Sequence, residues 1–357
     1  SNEIINNAKN INQLNNTFSR LYTNTKEYDL IRSRERNIET KRLRPLSFRS
    51  YNCPIETPEE IMKELVSIHK RTEYYALCSG GKDSISVGHW IMTNFPEQFK
   101  GFVHIKTNIG VKKTTDWLIE YCEKMGWVLK IIEPKPPNVY DELVLKYGFP
   151  SAGAHTIVMR KLKYSTMRRF AFENPHRKFN HSLISGIRVF ESSRRMNNYK
   201  GAIQRDGNLW FTAPFFKKSD EWVYKYLLTN GLKRTPVHDI LGMSGECECG
   251  SFASYGEREK LKLLDPELMH HIEYLEDQIQ LHGTPLAKKY PKWGNTSHTP
   301  EEVDKIMKDL YSKGIIDKIK DLEEVVCGVE CGAGTVSYTH VRAHETVLDL
   351  GCRVLLD

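Results

Sequence analysis

Several signals are missing from this 357-residue chain, and each absence narrows what it can be. No apolar run approaches the roughly 20 residues that cross a bilayer, and no charged-then-apolar secretory leader opens the sequence. The expectation is a cytoplasmic protein with no membrane partner. The eight cysteines are scattered, with only two tight groups. In a chain without a leader, that argues for reduced thiols and a metal or cluster site rather than a disulfide framework. The long Gly-x-x-x-x-Gly-Lys-Ser/Thr loop of kinases and GTPases is absent, as is Gly-x-Gly-x-x-Gly, and there is no internal repeat. The formal charge of +7 is moderate for the length. A phosphate-rich small molecule explains it as readily as nucleic acid does.

What is present centres on Ser79-Gly80-Gly81-Lys82-Asp83-Ser84. Residues 74–78 form a short apolar run of strand length. After the hexamer, Ile85, Gly88, Ile91, Met92 and Phe95 recur at helical spacing over 84–95. A strand feeding a glycine turn that opens a helix points backbone N–H groups outward at the positive end of the helix dipole, which makes an anion site suited to phosphate. The glycines allow close approach, Lys82 adds a mobile positive charge, and Ser79 and Ser84 offer hydroxyl donors. The plain alternative is an ordinary glycine turn between a strand and a helix.

Strands are predicted at 74–78, 102–106, 127–132 and 182–187. The first two are each followed by a helix; in the second of these Trp117, Leu118, Tyr121, Cys122 and Met125 line one face. Strands separated by single helices imply a parallel sheet with right-handed crossovers. The stretch 133–181 must then hold an insertion, placed where such sheets bind substrate. Thr57-Pro58-Glu59-Glu60 reads as a helix start with a capping box. Trp210 to Phe216 reads as core, and Cys53, Cys78 and Cys122 as ordinary small hydrophobes. Arginines and lysines between Arg32 and Arg49 form a basic stretch, either a solvated face or an arm over nucleotide or nucleic acid. The domain expectation is a basic lead-in over 1–56, a nucleotide-binding α/β domain over 57–235 and a helical, cysteine-bearing subdomain over 236–335. Residues 336–357 resemble read-through translation of a sequencing-library adaptor and stay outside the fold argument.

The hexamer resembles the pyrophosphate loop (PP-loop) of the adenine-nucleotide α-hydrolase superfamily. Three further segments narrow the likeness: Thr107-Asn108-Ile109-Gly110; Gly148-Phe149-Pro150 with His155 and Arg160-Lys161-Leu162-Lys163; and Gly186-Ile187-Arg188 leading to Glu191, Arg194 and Arg195. Their order resembles the phosphoadenosine phosphosulfate (PAPS) reductase family over roughly residues 55 to 280. The resemblance implies a PP-loop fold, a parallel sheet flanked by helices, binding PAPS, adenosine phosphosulfate (APS) or ATP. It implies nucleotide contacts from Ser79, Gly80, Gly81, Lys82, Asp83, Ser84, Asn108, Gly110, His155, Lys163, Gly186, Arg188, Glu191, Arg194 and Arg195. Arginines suit this work because their planar fork bonds phosphate or sulfate in pairs. Lys106 stands where the superfamily often has an acid.

Cys247 and Cys249 in a glycine-rich loop, with Cys327 and Cys331 further on, offer four thiolates for zinc or a [4Fe-4S] cluster. Free or redox-active thiols are the alternative. The Glu330-Cys331-Gly332 triplet resembles the family's C-terminal nucleophile, which attacks sulfur with a thioredoxin-like donor closing the cycle; Lys82 and Asp83 would join it in catalysis. The family's Cys-Cys pair ahead of Arg160-Lys161 is replaced by His155-Thr156-Ile157-Val158-Met159. Three functions follow: sulfonucleotide reduction to sulfite, an ATP pyrophosphatase or sulfurtransferase acting on nucleic acid, and a non-catalytic nucleotide- or nucleic-acid-binding module. The sequence leaves the oligomeric state open.

Overall fold

The computed structural model describes residues 57–173, 181–189, 201–206, 209–295 and 298–330. These residues divide into two units that interleave along the chain. One contains the described parts of 1–108, 115–140 and 156–235, and the other those of 109–114, 141–155 and 236–357. The basic stretch, Cys53 and the 336–357 tail lie outside the described residues.

The first unit is built on a six-stranded sheet. Its strands are β1 (Glu73–Leu77), β2 (Phe99–Ile105), β3 (Leu129–Ile132), β4 (His181–Ile184), β5 (Ile203–Asp206) and β6 (Leu209–Thr212), in the order β3-β2-β1-β4-β6-β5. All neighbours are parallel except the edge strand β5, which runs antiparallel to β6. The parallel α/β expectation is therefore met. The expected strand at 127–132 is shorter at its start, because Trp127 turns into the core before pairing begins at Leu129. The expected strand at 182–187 stops at Ile184, so Gly186 and Arg188 lie beyond the carboxyl end of β4.

Alternation along β1 divides the core. Tyr74 and Ala76 face one apolar cluster, and Tyr75 faces another. On the first side pack α1 (Pro58–His69), α2 (Lys82–Asn94), α3 (Lys112–Lys124) and, further along the chain, Asp220–Thr229, through Leu65, Ile91, Leu118 and Leu227. On the second side, Ser165–Glu173 contributes Met167 and Ala171. Trp210, Phe211, Phe215 and Phe216 are all buried, as the sequence implied, and so are Cys78 and Cys122. Met125 departs from the expected helix face. It follows the end of α3 and is exposed.

The start of α1 is set by local chemistry. The Thr57 hydroxyl accepts from the Glu60 amide and the Glu60 carboxylate accepts from the Thr57 amide, so the predicted capping box forms. Between the sheet and α2, Gly88 decides the spacing: a Cβ there would lie 2.2 Å from the Phe102 ring. Gly88→Ala is therefore expected to lower stability by about 1–3 kcal/mol through overpacking. Urea unfolding checks it, and an unchanged midpoint would contradict the close approach of α2 to β2.

The second unit is helical. After α4 (Val139–Tyr147), which straddles both units, come α5 (His155–Met159) and α6 (Ser165–Glu173), separated by a π-helical turn at Arg160–Tyr164. Of these, only His155 and the bulk of α4 belong to the second unit. With α7 (Asp220–Thr229) back in the first unit, the second continues as α8 (Val237–Leu241), α9 (Glu257–Leu264), α10 (Pro266–His282), α11 (Pro300–Ser312) and α12 (Ile315–Glu330). Asp265 caps α10 and Thr299 caps α11.

Candidate functional site

The turn after β1 has the geometry an anion loop requires. Gly80 has φ +79°, a left-handed conformation that a side chain would disfavour, and Gly81 then precedes the first residue of α2. The Ser84 hydroxyl braces the turn from inside. It accepts from the Ser79 amide at 3.2 Å, donates to the Gly81 carbonyl at 3.0 Å and lies 3.3 Å from the Ser79 hydroxyl. The Thr235 amide donates to the Gly80 carbonyl at 2.8 Å. With the carbonyls turned inward, the first-turn N–H groups of α2 are directed along its axis, where they attract anions. Gly186 packs on the same turn. A Cβ there would lie 2.7 Å from the Asp83 carbonyl carbon and 2.9 Å from the Ser84 nitrogen, so only glycine lets the β4 end approach this closely.

Four charges meet beside the loop. Arg188 is 1% exposed, and its Nε donates to Asp83 Oδ1 at 2.6 Å. Its Nη2 donates to Asp220 Oδ1 at 2.6 Å, and its Nη1 to the Lys218 carbonyl at 3.3 Å. Lys82 Nζ lies 2.9 Å from Asp83 Oδ2 and 2.8 Å from Asp220 Oδ1. Burial alone would lower the Lys82 pKa, but the hydrogen bonds it donates to Asp220 and Asp83 outweigh it and raise the value above the usual lysine range. Burial pulls the Arg188 guanidinium the same way, and Asp83 and Asp220 again more than offset it. Both cations stay charged at any physiological pH. Lys82 also sits 5.3 Å above the Tyr224 ring, whose hydroxyl accepts from Arg234 at 2.6 Å.

Asp220 was not foreseen as a site residue. It stands in Asp220-Glu221-Trp222-Val223, which resembles a stretch of the family but carried no assigned site role, and its partners are 32 and 138 positions away. Ser185, just before Gly186, was also missed. It is buried, and its hydroxyl has no hydrogen-bond partner among the described residues. At the carboxyl end of a parallel strand, such a group is suited to a ligand.

The remaining predicted residues divide. Ser79, Gly80, Gly81, Lys82, Asp83, Ser84, Gly186 and Arg188 come together in the first unit. Asn108 has φ +61° after β2, and its Nδ2 donates to the Pro137 carbonyl at 3.3 Å. Lys163 is half-buried in the π-helical turn, a local distortion often found at functional sites. Lys106 pairs with Glu133 at 3.1 Å on the surface. Glu191, Arg194, Arg195 and Cys331 lie outside the described residues. Cys327 belongs to the backbone of α12, and its side chain lies outside them too.

Gly110 and His155 fall in the second unit, where they serve a different loop. A Cβ on Gly110 would lie 2.3 Å from the Glu246 carbonyl oxygen, while Val111 donates to the Gly245 carbonyl and Glu248 to the Ile109 carbonyl. This segment therefore props the loop that carries Cys247 and Cys249. His155 hydrogen-bonds the Cys249 thiol and packs on Phe252 with ring centroids 4.7 Å apart. Hydrogen bonds from Cys247 first, then from His155 and Ser251, outweigh burial and hold Cys249 well below the ordinary thiol range. Among the described residues, no group of three or more His, Cys, Asp or Glu is arranged to hold a metal ion. Two of the four thiols that the sequence suggested for such a site, Cys327 and Cys331, have side chains outside the described residues.

A buried ionic knot fixes this thiol loop. Glu276, 4% exposed, accepts from Arg258 at 2.6 and 3.1 Å, from Lys292 at 2.8 Å and from the Trp293 amide at 3.0 Å. The Trp293 indole donates to the Glu248 carbonyl at 2.8 Å and lies against Gly250. Burial would raise the Glu276 pKa, but Arg258, Lys292 and the Trp293 amide hold it below the usual carboxylate range. A depressed carboxyl contributes stability that is complete above its unfolded pKa and is lost as pH falls through the folded one. Glu276→Gln should cost about 3–5 kcal/mol by removing the buried counter-charge of Arg258. It should also remove part of the acid limb of the stability–pH curve. Thermal unfolding between neutral and acidic pH measures both, and an identical acid limb in the variant would contradict the assignment.

Comparison with known proteins places this geometry. The profile of the phosphoadenosine phosphosulfate reductase domain matches residues 73–243. Those residues are a domain of the PAPS reductase family. Both the loop at Ser79–Ser84 and the Arg188 cluster fall inside the match. No curated protein matches the sequence. Among solved structures, the PAPS reductase of Candida auris, in a phosphate complex, is 15% identical with a TM-score of 0.36, over 51% of this chain and 84% of that one. The U34-tRNA thiolase of Methanococcus maripaludis, with its [4Fe-4S] cluster, is 16% identical with a TM-score of 0.34, over 71% and 80%. The FMN adenylyltransferase of Candida glabrata, bound to FMN and an ATP analogue, is 13% identical with a TM-score of 0.33, over 52% and 58%.

Proposed function

We propose that this PAPS reductase-family domain binds an adenine nucleotide by its phosphates at Ser79–Ser84, with Lys82 and Arg188 as the cationic partners. One observation carries the reading: the left-handed glycine turn opens α2 directly beside two permanently charged side chains. Donors fixed in place before the ligand arrives need no reorganisation, which is what catalysis at a phosphate or sulfate requires. Ser185 supplies a further hydroxyl, and Asn108 and Lys163 lie on the segments after β2 and before α6.

The chemistry we infer is reduction of an adenylyl sulfonucleotide, PAPS or APS. A Cys331 thiolate would attack sulfur, leave a thiosulfonate on the cysteine and release the nucleotide. A thioredoxin-like thiol donor would then free sulfite. In this scheme Lys82 and Arg188 neutralise charge on the departing phosphate, and Asp83 holds Arg188 in place. Arg194 and Arg195 would extend the anion grip, with Glu191 orienting an arginine or binding a ribose hydroxyl.

A second reading is favoured by Cys249, whose hydrogen bonds with Cys247, His155 and Ser251 favour the thiolate, the nucleophilic form that takes up sulfur from a persulfide donor. On that reading the domain is an ATP pyrophosphatase that adenylates an acceptor, such as a nucleic acid, and passes sulfur to it. Products separate the two: sulfite from PAPS or APS supports reduction, and pyrophosphate from ATP supports adenylation. Calorimetric titration with pyrophosphate tests what both share. Lys82→Ala should bind at least about tenfold more weakly, the loss of one charge-assisted hydrogen bond. Equal affinity would overturn the loop assignment.

A further inference from the structure

Asp220 needs an explanation that the reading above does not supply. It opens α7, yet the Ser219 hydroxyl already caps that helix by accepting from the Trp222 amide at 3.1 Å. Its side chain is 60% exposed, in contrast to the 1% of Arg188 and the 11% of Lys82 that it meets, and to the 20% of Asp83. One oxygen, Oδ1, takes both contacts: 2.8 Å from Lys82 Nζ and 2.6 Å from Arg188 Nη2. A single anionic oxygen held by an ammonium and a guanidinium is the arrangement in which a phosphate or sulfate oxygen is bound.

Resting on the nucleotide-site reading, we propose that Asp220 is a specificity-determining residue. Its carboxylate occupies the oxygen position of the ligand and must be displaced before a phosphate can take Lys82 and Arg188. Asp83 cannot play this part. It lies in the first turn of α2, is largely buried, and its two oxygens are divided between Arg188 and Lys82. The two cations and two carboxylates cancel, so the closed cluster presents no net charge. Exchanging Asp220 for a monoanion gains nothing in Coulomb energy, because one negative charge replaces another. Exchanging it for a group of two or more charges leaves a net attraction in a partly dehydrated site. The ligand class selected is therefore a polyanion: pyrophosphate, or a nucleotide carrying a di- or triphosphate or a phosphosulfate. Singly charged sulfate or phosphate esters are excluded. Because Asp220 is exposed, releasing it to solvent carries little desolvation cost.

The test is calorimetric titration of the full chain with pyrophosphate and with methyl sulfate, a monoanion. Asp220→Asn keeps the side-chain shape and removes the competing charge. It should bind pyrophosphate about tenfold more tightly than the wild type and take up methyl sulfate measurably. Glu221→Gln, which changes net charge equally at the neighbouring position, should leave both affinities where they were. Asp220→Ala serves as a second variant should the asparagine form fail to fold. Wild-type binding of pyrophosphate with equal or weaker binding in the Asp220 variants would overturn this proposal while leaving the loop assignment standing. A matching gain in Glu221→Gln would overturn it as well, by reducing the effect to bulk charge. No pyrophosphate binding by wild type or variants would remove the loop assignment and this proposal together.

Discussion

A guanidinium that is 99% buried cannot remain there without counter-charges, and the carboxyl end of the parallel sheet is arranged around that requirement for Arg188. Asp83, on the loop, satisfies one edge of the fork; Asp220, at the start of α7, satisfies another; the Lys218 carbonyl takes the rest. The same bonds fix the loop to the β4 end, and Gly186 is what allows them to form, because any side chain there would push against Asp83 and Ser84. Binding geometry and structural integrity are thus one network. Removing Asp83 would leave the buried Arg188 guanidinium without its inner counter-charge.

The second unit solves a comparable problem around Glu276. A buried carboxylate gathers Arg258, Lys292 and the Trp293 amide, and Trp293 in turn secures the loop of Cys247 and Cys249. The two units therefore place different chemistry on different supports. One presents main-chain amides and permanent cations; the other presents a thiol whose neighbours favour the charged form.

What could be read from the sequence was what short-range chemistry decides. The Thr57–Glu60 cap, the β1–turn–α2 unit and the buried Phe215 and Phe216 all follow from residues within a few positions of one another. The hexamer and Arg188 were recognisable because their type and order carry the pattern. Asp220 was not, since nothing in spacing alone tells which carboxylate will meet an arginine 32 residues away. Gly110, which the resemblance placed among the nucleotide contacts, lies against Glu246, a contact set by tertiary packing that spacing does not reveal. The short strands β5 and β6 were also missed, because four residues are too few for alternation to stand out and charged Arg205 and Asp206 interrupt the apolar pattern.

The central claim is that the backbone of the turn after β1, and not merely a lysine nearby, receives the phosphates. Hydrogen exchange resolved to single amides measures this directly, comparing the free chain with the chain saturated by pyrophosphate. The account predicts slowed exchange at residues 80–85, with a smaller effect at 185–188. Bound pyrophosphate with unaltered exchange across 80–85 would contradict it.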